Sequence, residues 1–253
     1  MSMRIHCKMA LLVTAFAAFF VHAENLVVLG DDAYAPVVYL KDGKVSGVLP
    51  AILSRAQSIT KDTYEIRLAP WKRSYELAAR GEGGIIGVSY TEDRSKIFDF
   101  SKAMYDDNIQ IVTLKGHTFP FSKLEDLKGK VVGGVNGASY GQEVDAAIAA
   151  GLFTVDRDVS QPGRLRKLLA GRLDAAFIGN GQVGFEKIVG ASEELIASRD
   201  KFSILPTPLT KDPLHLAFAK SMGKKEAIER FDMALEQMRK SGELKNIIAA
   251  AAK

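Results

Sequence analysis

The sequence predicts an α/β protein with largely parallel sheets. Short apolar runs, each long enough for a buried strand, alternate along the chain with helical segments of about ten residues. This alternation is typical of helices packed on parallel strands. The order helix, glycine, strand at 77–88 also recurs at 168–178. Two similar lobes of about 100 residues each would explain this repeat, although the same order is common in α/β proteins.

The first 23 residues predict a signal peptide that is cut after Ala23. Arg4 and Lys8 precede an apolar run from Met9 to Val21, and small residues follow it. The run is about 13 residues long, which is short for a membrane anchor of roughly 20. The mature chain would have 253 − 23 = 230 residues, would be exported, and would lack the chain's one cysteine, Cys7. A sizeable hydrophobic core must therefore stabilise it.

Charge and motifs argue against several classes of function. Removing Arg4 and Lys8 changes the charge balance from 34 − 30 to 32 − 30, which leaves a net charge of +2. This charge is too small and too evenly mixed for a nucleic-acid-binding protein. The four histidines have no zinc-binding spacing, and no phosphate-binding loop, dinucleotide-binding motif or Gly-x-Ser-x-Gly motif occurs. We therefore predict no catalytic residues, no metal and no cofactor.

Periodicity and turn residues place the individual elements. Strands are predicted at 25–29, 64–68, 85–88, 107–114, 130–135, 153–155, 175–178, 202–205 and 215–218. Helices are predicted at 50–59, 70–80, 121–129, 140–150, 162–170, 182–189 and 224–240, and from 243 onward. Asp42-Gly43 predicts a hairpin between 37–40 and 44–48. Prolines at first helical positions and glycines after the last turns support the helix bounds.

The stretch after the strand at 85–88 predicts an anion-binding site. The strand ends in Ser89, and Thr91 is a good helix N-cap followed by two acidic residues. Arg94 lies in the same first turn, where the helix dipole disfavours a cation. We interpret Arg94 as a bidentate partner for a carboxylate. The alternative is a surface arginine paired with Glu92 or Asp99.

Further candidates lie where ligands collect in open α/β sheets, at the carboxyl ends of strands. Asp31, Tyr34 and Tyr90 follow such ends. Trp71, the only tryptophan, lies at a strand-to-helix junction, where it is predicted either to stack on a ligand or to pack in the core.

The loop 137–142 lies between a predicted strand and a predicted helix. Backbone N–H groups at a helix start bind anions readily. The alternative is that Ser139 and Gln142 only form a capping box, and both arrangements can hold together.

A set of short motifs, in their order and spacing, resembles the family 3 solute-binding proteins that serve polar amino-acid ABC importers, nearly end to end. These motifs are Tyr34–Pro36, Asp42-Gly43 with Gly47, Pro70–Arg73, Thr91–Arg94 with Phe100-Ser101, Leu127–Lys130, Gly137–Ser139, Gly171–Ala176 and Lys240–Gly242. The resemblance implies a monomer with the type II periplasmic-binding-protein fold. In that fold two α/β lobes, here 24–112 with 216–253 and the inserted 113–215, are joined by two hinge strands and close on a ligand in the cleft between them. It also implies a carboxylate-bearing solute and the membrane subunits of an ABC importer as partners.

The resemblance also implies roles for individual residues. Arg94 would clamp the ligand carboxylate, helped by Ser89 and the backbone around Ser139, and Trp71 would form a wall of the site. Together with the residues named above, the expected ligand-binding set is Asp31, Tyr34, Trp71, Ser89, Tyr90, Arg94, Ser139, Tyr140, Gly179 and Asn180.

One departure from the family concerns the ligand ammonium. Members that bind amino acids usually carry an aspartate at the position of Gly179, while Asn180 offers only a neutral oxygen. Asp31 or Asp32 could reach across from the other lobe. We therefore expect common α-amino acids to bind poorly. Carboxylates without an α-ammonium, or modified or aromatic amino acids that stack on Trp71, should be favoured.

Two other functions remain as alternatives at this point. Some relatives of this fold are enzymes such as dehydratases, which would need Asp31, Asp32 or Glu92 as a general acid or base. A subunit that senses a ligand for a membrane partner is the second alternative.

Overall fold

The structure of the protein, a computed structural model, describes residues 23–251. The predicted signal peptide lies outside the described residues apart from its last residue. Among residues 23–251, no helix is long and apolar enough to cross a membrane.

The described chain alternates strands and helices as predicted. The strands are β1 Asn25–Asp31, β2 Ala33–Tyr34, β3 Val38–Lys41, β4 Lys44–Ser46, β5 Thr63–Ala69, β6 Gly84–Ser89, β7 Phe98–Phe100, β8 Tyr105–Leu114, β9 Val131–Val135, β10 Thr154–Asp158, β11 Ala175–Ile178, β12 Phe202–Ile204 and β13 Thr210–Ala219. The helices are α1 Val48–Thr60, α2 Trp71–Ala79, α3 Glu92–Ile97, α4 Gln142–Ala149, α5 Gln161–Leu169, α6 Gly181–Gly190, α7 Glu193–Ala197, α8 Lys225–Lys240 and α9 Glu243–Ala251. Three short 3₁₀ turns lie at Leu124–Leu127, Arg199–Lys201 and Lys220–Met222.

Two long antiparallel strands join two α/β lobes. In the first lobe, β1 pairs in parallel with β5 and β6, and in the second, β9 pairs in parallel with β10 and β11. Residues 105–109 of β8 pair with residues 210–214 of β13 between the lobes. Beyond that segment β8 pairs with β11 and β12, whereas β13 pairs with β6 and β7. The strands β8 and β13 are therefore the two hinge strands of a two-lobed fold.

Each lobe has its own apolar core. In the first lobe, α1 buries Leu49, Ile52 and Leu53 completely, at a spacing that places them on one helix face. They pack in a cluster that includes Phe231 and Leu235 of α8. Separate clusters in the second lobe form on the two faces of its sheet. The apolar cores therefore lie inside the two lobes, and the lobes face each other across a cleft.

Residues that favour turns and helix caps predicted the local structure correctly at the β3–β4 hairpin and at the start of α3. The hairpin β3–β4 forms as predicted, and Thr91 caps α3 by accepting a hydrogen bond from the Arg94 backbone N–H at 3.2 Å. The helix predicted at 121–129 is wrong, because only a four-residue 3₁₀ turn forms there. The elements β2, β7 and α7 were not predicted, since runs of two to five residues are too short to show a period.

A buried ion pair ties the start of the first lobe to its last long helix. Asp62 is fully buried and accepts hydrogen bonds from Nε and Nη2 of Arg230, both at 2.9 Å, and from the Glu24 backbone N–H. Glu24 itself accepts a further bond from Arg230. Every charge of this cluster therefore has an opposite partner, as burial requires.

We expect Asp62→Ala to lower the free energy of unfolding by about 3 kcal/mol, because it removes two buried hydrogen bonds from the Arg230 guanidinium and leaves it only its pair with Glu24. Urea denaturation measures this loss. The matched control is Asp93→Ala, whose exposed pair with Lys96 should contribute little to stability. Equal losses in the two variants would contradict this account of the cluster.

Candidate functional site

A cavity of about 50 Å³ lies between the two lobes, at the ends of strands from both sheets. Its walls combine apolar and charged side chains. They are formed by Asp31, Tyr34, Trp71, Gly87, Ser89, Ile109, Val135, Ala138, Ser139, Tyr140, Gln161, Arg164, Phe177, Gly179, Asp212 and Leu214.

Hydrogen bonds between the lobes close the cleft over this cavity. The Trp71 Nε1–H of the first lobe donates to the Gly137 carbonyl of the second lobe at 3.1 Å. In the other direction, Gln161 Nε2 donates to the Ala33 carbonyl at 2.9 Å. Trp71 is only 8% exposed and also packs in the core of the first lobe. Its two predicted roles, core residue and wall of the site, therefore coincide.

The structure gathers most of the predicted site residues at one place. The residues of that set that line the cavity are Asp31, Tyr34, Trp71, Ser89, Ser139, Tyr140 and Gly179. Tyr90, Arg94 and Asn180 do not line it. Tyr90 is 52% exposed and stands edge-on against Phe100, with ring centroids 5.2 Å apart.

Arg94 is buried, so the alternative of a surface arginine paired with a carboxylate such as Glu92 is wrong. Its Nη1 donates to the Ser89 carbonyl at 3.1 Å, and its guanidinium lies 5.0 Å from the centre of the Tyr75 ring. Burial lowers the pKa of Arg94. In this position the guanidinium holds the end of β6 through Ser89, which itself lines the cavity.

The loop before α4 differs from the capping box considered for it. Ser139 Oγ donates to a carboxylate oxygen of Asp145, and Gly141 is the N-cap residue of α4. Gln142 instead accepts a hydrogen bond at 3.4 Å from the Glu92 backbone N–H of the other lobe. The loop is therefore held by its own helix and contacts the first lobe directly.

Gly179 makes room for residues from other elements. A Cβ atom at position 179 would lie 2.7 Å from Cε2 of Tyr34 and 2.8 Å from Oδ2 of Asp107. The Tyr34 hydroxyl donates to that same Asp107 oxygen, and the Asn180 backbone N–H donates to the other. Asn180 is further held by the Tyr105 hydroxyl, which donates to its side-chain oxygen. Tyr34 of the first lobe and Asp107 of the hinge strand β8 therefore occupy the space that a side chain at position 179 would need.

Asp212 lines the cavity and was not predicted. The sequence prediction started the last strand at 215, but β13 begins at Thr210 and carries Asp212 into the hinge. Ser89 Oγ donates to Asp212 Oδ2 at 2.6 Å. Burial raises the pKa of Asp212 to about 7, and burial raises that of Asp31 to about 6.

Arg164 is the second residue that sequence reasoning missed. It is 2% exposed, lines the cavity from α5 and donates from Nη1 to the Phe177 carbonyl. Its Nε has no hydrogen-bond partner among the described residues. The helical spacing of Arg164 with Leu165 and Leu168 gave a usable signal, because it places an arginine on the buried face of α5.

No group of three or more His, Cys, Asp and Glu side chains within residues 23–251 is arranged to hold a metal ion. The side chains that line the cavity offer carboxylates, a guanidinium group, hydroxyls and aromatic rings.

We expect Gly179→Ala to lower the free energy of unfolding by about 1–3 kcal/mol, since the added methyl group overlaps Tyr34 and Asp107. The matched control is Gly190→Ala in α6, where a Cβ atom meets nothing within 4 Å. That change should leave stability unchanged or raise it by up to about 1 kcal/mol. A Gly179→Ala protein as stable as the wild type would show that the Tyr34–Asp107 contact is not tightly packed.

Asp212 should make the stability of the unliganded protein depend on pH. Burial and the charges of Asp107 and Asp145 raise its pKa, while Ser89 and Arg94 oppose the shift. An unfolded aspartate loses its proton near pH 4, so between about pH 4 and pH 7 folding takes up a proton. Stability then falls as pH rises through this range, by up to about 1.4 kcal/mol per pH unit.

The test is urea denaturation of wild type and Asp212→Asn at pH 4, 5.5, 7 and 8. The variant cannot titrate at this position, so its stability should fall less steeply than that of the wild type between pH 4 and pH 7. Parallel curves for the two proteins would mean that the folded state does not hold a proton on Asp212.

Comparisons with known proteins agree with this architecture. The chain is 27% identical over 219 residues to a probable amino-acid-binding protein, YxeM, of Bacillus subtilis (strain 168), covering 84% of this chain and 78% of that protein. It shares its fold with a histidine kinase sensor domain similar to periplasmic binding proteins, at 22% identity and a TM-score of 0.74, covering 89% and 95% of the two chains. It likewise shares the fold of an ancestral arginine-binding protein bound to arginine, at 24% identity and a TM-score of 0.72, covering 91% and 98%.

The fold is therefore the two-lobed type II fold of periplasmic binding proteins, with two hinge strands and a cleft between the lobes. The sequence profile that matches residues 26–250 describes solute-binding proteins, which confirms the prediction of a binding protein over that of an enzyme. Because the match spans most of its length, the chain belongs to the bacterial extracellular solute-binding proteins, family 3.

Proposed function

We propose that this protein captures a small carboxylate-bearing solute in the periplasm and delivers it, as a monomer, to the membrane subunits of an ABC importer. The observation that carries the proposal is the cavity whose walls come from both lobes. Such a site binds its solute fully only when the lobes meet. The relative named as an amino-acid-binding protein and the arginine-bound neighbour support a solute of the amino-acid type.

The mechanism is lobe closure about the two hinge strands. We take the lobes to be 24–112 with 216–253, and 113–215. We expect the bend near residues 112–114 of β8 and 212–216 of β13, beside the segments 105–109 and 210–214 that pair with each other. A solute shifts this equilibrium only to the extent that it binds the closed state better than the open one. Contacts from both lobes to one solute supply that difference.

Two buried arginines are candidates for the solute carboxylate. Arg94, with Ser89 and the backbone around Ser139, is the partner implied by the family resemblance. Arg164 already lines the cavity and keeps an unpaired Nε. The rings of Tyr34, Trp71 and Tyr140 form apolar walls, as expected for a small-molecule site with few polar groups. Asp31 and Gly179 line the same cavity, while Tyr90 and Asn180 complete the proposed set without lining it.

Closure predicts two signals that appear together when a solute binds. Thermal-shift screening against amino acids, organic acids and amines identifies a solute, since binding to the folded state alone raises the melting temperature. That solute should then reduce the radius of gyration in small-angle scattering and shift Trp71 emission to shorter wavelength, because closure shields the ring. Identical scattering curves with solute demonstrably bound would contradict the mechanism.

A variant of the closing contact sharpens this test. Gln161→Ala removes the hydrogen bond from the second lobe to the Ala33 carbonyl and should weaken binding by about 0.5–1.5 kcal/mol, as measured by calorimetry. The matched control is Gln182→Ala, whose exposed side chain bonds only within its own helix to Glu186. That control should bind as the wild type does.

A further inference from the structure

Beside the cavity, two side chains of the hinge strand β8 bind one residue of the second lobe. Asn180 lies between β11 and α6, so it belongs to the second lobe. Its backbone N–H donates to Oδ1 of Asp107, and its side-chain oxygen accepts a hydrogen bond from the Tyr105 hydroxyl. Tyr105 and Asp107 are two residues apart on β8, which places their side chains on the same face of the strand. Both side chains therefore reach Asn180 together.

The same hydrogen bonds continue into the first lobe. Tyr34 and Tyr105 both pack against the apolar core of that lobe. Asp107 is fully buried, and its Oδ2 accepts a hydrogen bond from the Tyr34 hydroxyl. We call Tyr34, Tyr105, Asp107 and Asn180 the hinge clasp. Its hydrogen bonds run from the core of the first lobe to the start of α6 in the second.

The hinge clasp crosses the expected hinge. Tyr34, Tyr105 and Asp107 belong to the first lobe in the division taken above, and Asn180 belongs to the second. When the lobes open, Asn180 therefore moves away from β8, and its two hydrogen bonds lengthen. A donor and an acceptor roughly 3.6 Å apart no longer form a hydrogen bond, so a small opening breaks the clasp. The clasp is complete only while the lobes are closed.

Gly179 provides the space that the hinge clasp occupies. A Cβ atom at position 179 would lie 2.7 Å from Cε2 of Tyr34 and 2.8 Å from Oδ2 of Asp107. Any side chain there would push Tyr34 and Asp107 apart. The glycine at this position thus has a structural reason that does not depend on the charge of the solute.

The backbone of Asn180 also fits a residue held from outside. Its φ is +61°, in the left-handed region that residues other than glycine rarely adopt. Such a conformation is unfavourable and persists where surrounding contacts enforce it. The hydrogen bonds to Asp107 and from Tyr105 are contacts of this kind.

The donors of the hinge clasp keep their protons at neutral pH. Burial, together with the charge of Asp107, raises the pKa of Tyr105 to about 12 and that of Tyr34 well above its ordinary value. Tyr105, Asp107 and Asn180 are also not among the residues that line the cavity. Their hydrogen bonds therefore remain available whatever solute the cavity holds.

We propose that the hinge clasp stabilises the closed lobes, with Tyr105 and Asn180 as positioning residues that do not touch the solute. Asn180, which was expected to bind the solute, then acts through closure instead. The clasp adds the same stabilisation to the closed state for every solute, because its bonds form within the protein. This inference rests on the proposed function, since it needs a solute that closes the lobes.

The experiment compares the affinities of wild type and two variants for five chemically different probes by calorimetry. The probes are L-arginine, L-glutamine, L-phenylalanine, propionate and succinate. Tyr105→Phe removes the hydroxyl and keeps the ring that packs in the first lobe. Asn180→Gly removes the side-chain acceptor, and glycine adopts the left-handed conformation readily. Each variant should weaken every probe that the wild type binds by the same factor, about two- to tenfold.

Two further measurements identify a role through closure. Both substitutions remove the same hydrogen bond, so the double variant should bind each probe no more weakly than the weaker single variant. Stopped-flow measurement of Trp71 emission should place the loss in the dissociation rate, because the clasp forms after the probe has entered the cleft.

Two controls match the chemistry of these changes. Tyr39→Phe removes the hydroxyl of a partly buried tyrosine of β3 that does not line the cavity. Lys61→Gly replaces another left-handed residue, at the end of α1. Both controls should bind every probe as the wild type does. Melting temperatures of all variants show whether each one is folded.

The outcomes separate this inference from the proposed function. A loss confined to some of the probes would show that Tyr105 or Asn180 contacts the solute, and would overturn the clasp. Unchanged affinities with a lower melting temperature would give the hydroxyl a purely structural role, which overturns the clasp and leaves solute capture intact. Binding of none of the probes by the wild type would overturn both.

Discussion

The unfavourable free energy of burying a charge without a counter-charge is the constraint on which the cleft depends. Elsewhere in the protein this constraint is met internally, since the fully buried Asp62 accepts two hydrogen bonds from Arg230. Inside the cleft it is met less completely, because Arg164 and Asp212 are also buried yet form no ion pair with described residues. The buried Nε of Arg164 therefore keeps a hydrogen bond that a bound solute can accept.

The hinge strands bring these groups together from distant parts of the chain. Pairing of β8 with β13 sets Asp107 directly opposite Asp212. Asp107 is satisfied from both lobes, by the Tyr34 hydroxyl and the Asn180 backbone N–H, and so belongs to the framework. Asp212 points to Ser89 and the cavity, and so belongs to the site. Two neighbouring aspartates on paired strands thus take different roles through the hydrogen-bond partners that each side chain meets.

The sequence predicted the fold well because its signals are local. Apolar runs, proline and glycine positions and the Thr91 cap each act within a few residues, and the alternation of strands and helices follows from them. Strand ends also located Asp31 and Ser89, since the carboxyl ends of parallel strands meet at the cleft. Asp212 escaped prediction because only the pairing of β13 with β8, over a hundred residues earlier in the chain, carries it into the hinge. Residue roles that were transferred by resemblance are limited in the same way, because local sequence does not show long-range contacts. Neither the burial of Arg94 against Tyr75 nor the filled space beside Gly179 can be predicted from neighbouring residues.

Closure of the cleft couples recognition to the burial of charged groups. Asp31, Asp212 and Arg164 line one cavity and are at most 9% exposed when the lobes meet. A solute that leaves any of these groups without a partner opposes closure. Protonation of the two aspartates, whose pKa values burial raises to about 7 for Asp212 and about 6 for Asp31, relieves that opposition at low pH. Selectivity then arises less from contacts made to the right solute than from charges left unpaired by the wrong one.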